Sequence, residues 1–196
     1  MLEQYSPLQI REIFHLEFLR WLGKKINMSY YALKGGVNLR FFYNSFRYSE
    51  DIDFNARIIR IDSLQNKIIQ ILKSTSFQNN LKSFGIEQII PQDITKAKQT
   101  QTTQRFKINL ITPKDENFFT KIEFSRRGLE EGACRFESID PELIHRYQLY
   151  PILANHYTQE AAFCQKVDAL IHRTEVQARD VFDLQLLLNM GVQSHC

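Results

Sequence analysis

Residues 33–55 read LKGGVNLRFFYNSFRYSEDIDFN, and this stretch decides the fold. A short apolar run, 30–33, ends at Lys34 and the pair Gly35-Gly36. Adjacent glycines after an apolar run mark a tight turn where the backbone can approach a ligand closely. The apolar groups of residues 37–43 then recur at helical spacing. A strand therefore hands over to a helix N-terminus, whose free N–H groups and positive dipole end attract phosphate. Ser49-Glu50-Asp51-Ile52-Asp53-Phe54 follows. In an extended strand Asp51 and Asp53 project together, while Ile52 and Phe54 point into a core.

Two carboxylates on one strand face, with Cβ atoms about 6–7 Å apart, repel each other. A folded protein keeps such a pair when a cation sits between them, and oxygen-only ligands suit Mg²⁺ or Mn²⁺. The bland account is a solvated acidic edge behind a Gly-Gly turn, and each element alone is common by chance. Their combination at this separation, in a strand–helix–strand context, favours chemistry.

Lys34-Gly35-Gly36 followed by Arg47, Ser49 and Asp51-Ile52-Asp53 resembles the signature of the DNA polymerase β-like nucleotidyltransferase superfamily. More narrowly it resembles the AbiEii/AbiGii-type family of abortive-infection and toxin–antitoxin nucleotidyltransferases. The superfamily commonly has Gly-Ser at the turn, where this chain has Gly35-Gly36, as the narrower family often does. The resemblance implies an α+β fold with a mixed β-sheet flanked by helices, and a third carboxylate on a strand beside the Asp51–Asp53 strand.

The composition is compatible with that expectation. At 196 residues, with 43% hydrophobic and 24% charged residues, the chain fits one domain, or one domain with a small helical appendage. A net charge of +3 permits nucleic-acid contact without demonstrating it. The cysteines Cys134, Cys164 and Cys196 are widely spaced and form no CxxC motif. They support neither a zinc ribbon nor a disulfide scaffold, and point to a reducing cytoplasm. No apolar run approaches the ~20 residues of a membrane span, and no signal-peptide pattern opens the chain. A cytoplasmic protein without membrane contact is expected.

Around the central stretch, Ser6-Pro7 reads as a helix cap and first helical position. Ile10, Ile13, Phe14, Phe18, Leu19 and Leu22 then recur at helix spacing as a packing helix. Asp62-Ser63 reads as the cap of a second helix through Leu64, Ile68, Ile69, Ile71 and Leu72, ended by the polar stretch 74–80. Residues 85–90 read as a strand closed by Pro91, and the polar run 96–104 as an exposed hairpin loop. Phe106, Ile108 and Leu110 alternate with Lys107 and Asn109 as a strand. Ile122 and Phe124 likewise face inward, with Lys121 and Glu123 on the opposite face. Glu123 is the natural third carboxylate, against a bland account as an ordinary surface Glu–Lys pair. Arg126 and Arg127 at this strand's end are equally balanced between phosphate or RNA contact and plain solvation. Residues 128–150 carry little signal beyond apolar content that makes them folded. His145, His156 and His172 lie too far apart for a local metal motif.

Residues 161–171 read as a helix carrying Lys166, and Arg179-Asp180-Val181-Phe182-Asp183-Leu184 opens a final one. Lys166, Ala169, Arg173, Arg179, Asp180, Asp183 and Leu184 match the family's closing signature; Asp168 stands where that family commonly has apolar or small residues. The bland account makes Asp180 a helix cap and Asp183–Arg179 a surface pair worth at most ~1 kcal/mol. The resemblance instead places Lys166 on the nucleotide's phosphates, with Asp180 or Asp183 bracing that lysine or contacting the base.

The resemblance thus implies a metal-dependent transfer of NMP from a nucleoside triphosphate to a hydroxyl of RNA, such as a tRNA 3′ end, or of a protein. Asp51, Asp53 and Glu123 would ligate Mg²⁺ or Mn²⁺, with Lys166 as a further catalytic group. Lys34, Gly35, Gly36, Ser49, Lys166 and Asp180 or Asp183 would bind the nucleotide. A cognate antitoxin is an implied partner. Residues 1–150 are expected to form the catalytic core and 151–196 a helical segment packing on it. Many relatives continue into a larger helical region, so an absent or reduced acceptor-binding domain is expected. Two readings compete with the enzyme: a nucleotidyltransferase-fold module without turnover that binds protein or RNA, and a plain nucleic-acid binder.

Overall fold

A computed structural model describes residues 5–57, 60–92 and 99–193. Helix α1 (Pro7–Lys25) starts as its sequence asks. Ser6 Oγ accepts from the Gln9 N–H, the Gln9 side chain accepts from the Ser6 N–H, and Pro7 occupies the first turn. A 3₁₀ turn, η1 (Met28–Tyr30), leads into β1 (Tyr31–Lys34). Next come α2 (Gly35–Phe42), β2 (Asp51–Ala56), α3 (Ile61–Leu72), α4 (Thr75–Lys82) and β3 (Gln88–Pro91). The chain continues with β4 (Thr103–Ile111), β5 (Asn117–Ser125), β6 (Cys134–Ser138), α5 (Pro141–Arg146), β7 (Leu153–Tyr157), α6 (Gln159–Ile171) and α7 (Ala178–Asn189).

The strands form one mixed seven-stranded sheet in the order β3-β4-β5-β2-β1-β7-β6. β2 pairs parallel with β5 and antiparallel with β1, and β1 pairs parallel with β7. This is the expected α+β architecture with a mixed sheet flanked by helices. One face of the sheet carries the main core. Ile52 and Phe54 of β2 and Ile122 and Phe124 of β5 are buried there with Phe14 and Phe18 of α1. Phe54 stacks on Phe124 with ring centroids 4.8 Å apart and meets Tyr31 edge-on at 5.6 Å. The opposite face carries α6 and α7, which join α2 through a smaller cluster of Leu39, Tyr43, Phe163 and Leu187.

Three expectations change. α3 begins at Ile61, behind Arg60, so neither Asp62 nor Ser63 caps it; Asp62 instead lies in the first turn, where its charge favours the helix dipole. The stretch 74–80 does not simply end that helix. Ser74 caps α4, and Phe77 and Leu81 turn into the core beside Phe14 and Trp21. The strand expected at 85–90 is confined to Gln88–Pro91, because Gly85 (φ +79°) forms a turn first. Of the polar run 96–104, residues 96–98 lie outside the described residues, and Gln99 bridges to Gln104 across a tight turn into β4. The segment from 151 onward enters the sheet as β7, between β1 and β6, before α6 and α7 follow.

α1 also buries charge. The Glu12 carboxylate is 3% exposed and accepts from Arg40 Nε at 2.6 Å and from the Tyr147 hydroxyl at 2.6 Å. Arg40 donates in addition to the Ser45 carbonyl and lies over the Tyr48 ring. This pair ties α1 to α2, and to the loop that leads into β2. Removing one partner of a buried pair leaves the other charge uncompensated. Arg40→Met is therefore expected to lower unfolding free energy by about 3–5 kcal/mol in urea titration. Glu12→Gln in the same background should recover part of that loss.

Candidate active site

The glycine turn is held by its neighbours as well as by its backbone. Gly35 has φ +69°, a left-handed conformation that side chains other than glycine rarely adopt. A Cβ on Gly35 would lie 3.3 Å from Asp53 Oδ2. On Gly36 it would fall 2.6 Å from Arg47 Nη2 and 3.2 Å from Ser49 Oγ. The left-handed backbone at Gly35 is what lets the turn between β1 and α2 close onto β2, while a side chain at Gly36 would displace the Arg47 guanidinium. Lys34, at the N-cap of α2, makes no side-chain cap bond, so the first N–H groups of the helix have no side-chain partner there.

β2 alternates strictly between core and cleft, and β5 pairs with it in parallel register. Asp53 lies opposite Glu123 and Asp51 opposite Lys121. Adding the partners on β1 and β4 gives a row across four strands: Lys34, Asp53, Glu123 and Arg105. Lys121 Nζ reaches Asp51 Oδ2 at 2.9 Å, and Arg105 Nη2 reaches Glu123 Oε2 at 2.7 Å. The cleft thus brings together Asp51, Asp53 and Glu123, with Lys34, Gly35, Gly36 and Ser49 beside them. Burial raises the Asp53 pKa above the usual carboxylate range, and the Glu123 charge adds to that rise. Burial also lowers the Lys34 pKa, although Asp53 and Glu123 pull it up. Desolvation outweighs attraction at both ends of this contact.

Lys166 projects from α6 into the same cleft. Its Nζ lies 2.5 Å from Asp183 Oδ2 and 3.7 Å from Asp180 Oδ1. Both aspartates are buried to about 1% exposure or less. Asp183 also receives Arg47 through Nε at 3.1 Å and Nη2 at 2.9 Å, and Asp180 receives Arg173. Neither aspartate plays the bland surface part. The N-cap of α7 is Gln177, and the partners of Asp183 are Arg47 and Lys166 rather than Arg179. Both braces hold cations that border the cleft. Asp168 lies at the exposed edge of the cleft and pairs with His172, which is exposed as well.

The cleft has a volume of about 920 Å³ and includes Arg127 and Arg179. Arg126 turns inward instead, 7% exposed, and reaches the Thr100 carbonyl. His156 is a buried core histidine, stacked on Phe42 at 3.6 Å and bonded to Asn38. A second pocket of about 720 Å³ lies around Met28, Arg57 and Glu130 and contains neither the glycine turn nor the aspartate row. Arg105 is the functional neighbour that sequence reading missed. Extending the alternation of Lys107 and Asn109 back by two residues would have put it on the cleft face.

A sequence profile described as AbiEii, "Nucleotidyl transferase AbiEii toxin, Type IV TA system", matches residues 18–195. The chain belongs to the AbiEii nucleotidyltransferase toxin family. The match takes in the glycine turn, all three cleft carboxylates, and Lys166 with its braces. No curated protein matches the chain. Among solved structures, JHP933 from Helicobacter pylori is 22% identical with a TM-score of 0.61, over 95% of this chain and 68% of that one. A structure titled putative nucleotidyltransferase from H. pylori gives the same identity and score, over 70% of its own length. MenT4, a nucleotidyltransferase toxin from Mycobacterium tuberculosis H37Rv, is 17% identical with a TM-score of 0.69. The alignment covers 96% of this AbiEii chain and 60% of MenT4. At these identities the likeness shows a shared fold.

Among the described residues no three acidic, histidine or cysteine side chains are grouped to hold a metal ion, and Lys121 and Arg105 engage two of the three cleft carboxylates. The donor set nevertheless fits a hard divalent cation. It is all oxygen, it lies on one sheet face, and the desolvated contact between Asp53 and Glu123 is one that added positive charge relieves.

The raised Asp53 pKa has a definite sign for stability. A carboxyl whose folded pKa lies above its unfolded value binds protons more tightly when folded, so its ionisation lowers stability as pH rises through that window. Asp53→Asn is expected to raise the Tm of the metal-free protein at neutral pH. The gain should shrink as pH falls toward the ordinary carboxylate range, as a pH series of thermal melts would show. A lower Tm at neutral pH would contradict the burial argument.

Proposed function

We propose that this chain is a metal-dependent nucleotidyltransferase that moves an NMP from a nucleoside triphosphate to the hydroxyl of an acceptor, acting as the toxin of a toxin–antitoxin or abortive-infection system with a cognate antitoxin as partner. One observation carries the reading. Asp53, desolvated beside the Glu123 carboxylate and with Asp51 two residues away, opens beside a glycine turn at a helix N-terminus in the cleft that also holds the braced Lys166. A docking surface has no use for like charges pressed together under partial desolvation.

Asp51, Asp53 and Glu123 would hold Mg²⁺ or Mn²⁺, which supplies charge neutralisation on the triphosphate and a lowered pKa for the acceptor hydroxyl. The chain's own groups do the rest. The backbone N–H groups at Gly35-Gly36 and the Ser49 hydroxyl receive the β- and γ-phosphates. Lys166, held by Asp183 and Asp180, meets the phosphate oxygens as charge builds on the leaving pyrophosphate. Glu123 accepts the proton of the attacking hydroxyl. That oxygen bonds to the α-phosphorus as the bond to the β-phosphate bridging oxygen breaks, and pyrophosphate leaves.

RNA is the favoured acceptor over protein. Phe46, 74% exposed, meets Phe182 with ring centroids 4.7 Å apart. Phe46 is the neighbour of Arg47, and Phe182 stands one helical turn after Arg179, and both arginines line the cleft. Exposed aromatic faces beside arginines are what unpaired bases and their phosphates use.

Two measurements test this. Mg²⁺ or Mn²⁺ with a nucleoside triphosphate should raise the Tm by mass action, and Asp51→Asn with Asp53→Asn should abolish that rise. In addition, the protein should transfer label from one of the four α-³²P nucleoside triphosphates to a band in total RNA. Glu123→Gln is expected to lower kcat by about 10²–10⁴ while nucleotide binding persists. Lys166→Met should raise KM and lower kcat together, since the lysine meets the bound triphosphate and the leaving pyrophosphate alike. Label on protein bands would replace the RNA acceptor by a protein one. No transfer with any nucleotide, alongside tight binding of RNA or a protein, would leave a module without turnover.

A further inference from the structure

The carboxylates of the cleft already have cations of their own. Arg105 engages Glu123 through Nε and Nη2, both 2.7 Å from Oε2. Lys121 holds Asp51 at 2.9 Å. None of these four side chains is fully buried: exposures are 34% and 25% for the first pair, 24% and 32% for the second. They can therefore exchange partners without unpacking the core. Asp53 has no such counter-ion within salt-bridge distance among the described residues, and lies between Lys34 and Glu123 in the cross-strand row. The floor is balanced: Asp51, Asp53 and Glu123 against Lys34, Lys121 and Arg105.

A divalent cation that draws on Asp51 Oδ2 and Glu123 Oε2 competes with Lys121 and Arg105, which engage those two oxygens. We propose that Arg105 and Lys121 are built-in competitors of the metal, positioning residues that hold two of its three ligands until metal binds and releases them. This rests on the metal-dependent reading above and adds an order to it. Before metal arrives the Arg105 and Lys121 charges are engaged by Glu123 and Asp51. Once metal takes the carboxylates, two cations on adjacent strands are set free at the cleft floor, where phosphate oxygens of the nucleotide or of an RNA acceptor are the complementary partners. Metal loading thereby prepares the site for anions twice, by its own charge and by the charges it displaces. Without metal, Arg105 and Lys121 would be engaged and phosphate binding weak.

The competition predicts that removing a resident cation tightens metal binding, which a merely structural ion pair would not do. Mn²⁺ binding, with no nucleotide present, should be measured by calorimetry and by electron paramagnetic resonance for the wild type, Arg105→Gln, Lys121→Met and Arg105→Lys. Exposed pairs of this kind are modest, so about a fivefold fall in the Mn²⁺ Kd is expected for each neutral variant. Arg105→Lys, which keeps the charge but loses the fork, should fall between wild type and Arg105→Gln. In the presence of Mn²⁺, the neutral variants should bind inorganic pyrophosphate more weakly than the wild type, since the displaced cation is missing. The two variants lie on different strands, so misfolding of one leaves the other as the test. Unchanged or weaker Mn²⁺ binding in a folded neutral variant would overturn the competition. If the wild type binds no Mn²⁺ and its Tm is unmoved by metal with nucleotide, the metal-dependent reading and this inference fall together. Binding by the wild type that the Asp51→Asn, Asp53→Asn pair abolishes, with no gain in the neutral variants, overturns the inference alone.

Discussion

The parallel pairing of β2 with β5 is the constraint on which the site depends. It sets Asp53 directly beside Glu123 and Asp51 beside Lys121. The same register stacks Phe54 on Phe124 on the far side of the sheet. A slip of one residue would put Phe54 into the cleft and Asp53 into the core, because side chains alternate with a period of two. The apolar face therefore specifies the acidic one. Burial of Ile52, Phe54, Ile122 and Phe124 supplies the free energy that holds a repulsive carboxylate contact in place.

The second wall of the cleft follows a related logic with the signs exchanged. Buried carboxylates, Asp180 and Asp183, hold Lys166, Arg47 and Arg173 around the cavity. A long basic side chain loses much rotamer freedom when it is fixed in one pose. A buried carboxylate behind it removes that freedom before any ligand arrives, so the cation meets phosphate in a preset position. Asp183 joins Arg47, from the loop before β2, to Lys166 on α6. The Arg47 guanidinium from the same loop lies against Gly36, where a Cβ would fall 2.6 Å from its Nη2. The glycine turn, the β2 loop and the two C-terminal helices are thus locked to one another through a single carboxylate.

Below the sheet, the buried Glu12–Arg40–Tyr147 cluster links α1, α2 and the end of α5. His15 is similarly enclosed, 2.8 Å from Thr120 Oγ1, while Thr120 donates to the Glu50 carbonyl just before β2. Burial pushes the His15 pKa down to about 3, so it is neutral at physiological pH and serves as a hydrogen-bonding strut. Polar groups of α1 thereby hold the backbone on which β2 begins.

Local pattern alone determined much of this protein. The alternation of β2, β4 and β5, the cap and apolar spacing of α1, and the glycine turn between β1 and α2 depend on neighbours in sequence. Asp51, Asp53, Glu123 and Lys166 could be named for the same reason, since the strand period and a family resemblance place them without knowledge of packing. Tertiary structure decided everything that depends on which elements meet. The 128–150 region, with its short pieces, gained β6 only through pairing with β7, and β7 itself is a strand because it lies between β1 and β6. Arg105 and Lys121 look like ordinary strand-face charges until β4, β5 and β2 align. Asp180 and Asp183 look like solvated charges at the start of a helix until α7 packs against α6 and buries them. Charge partners and burial are properties of the register between distant segments, and hydrophobic period within one segment carries no record of them.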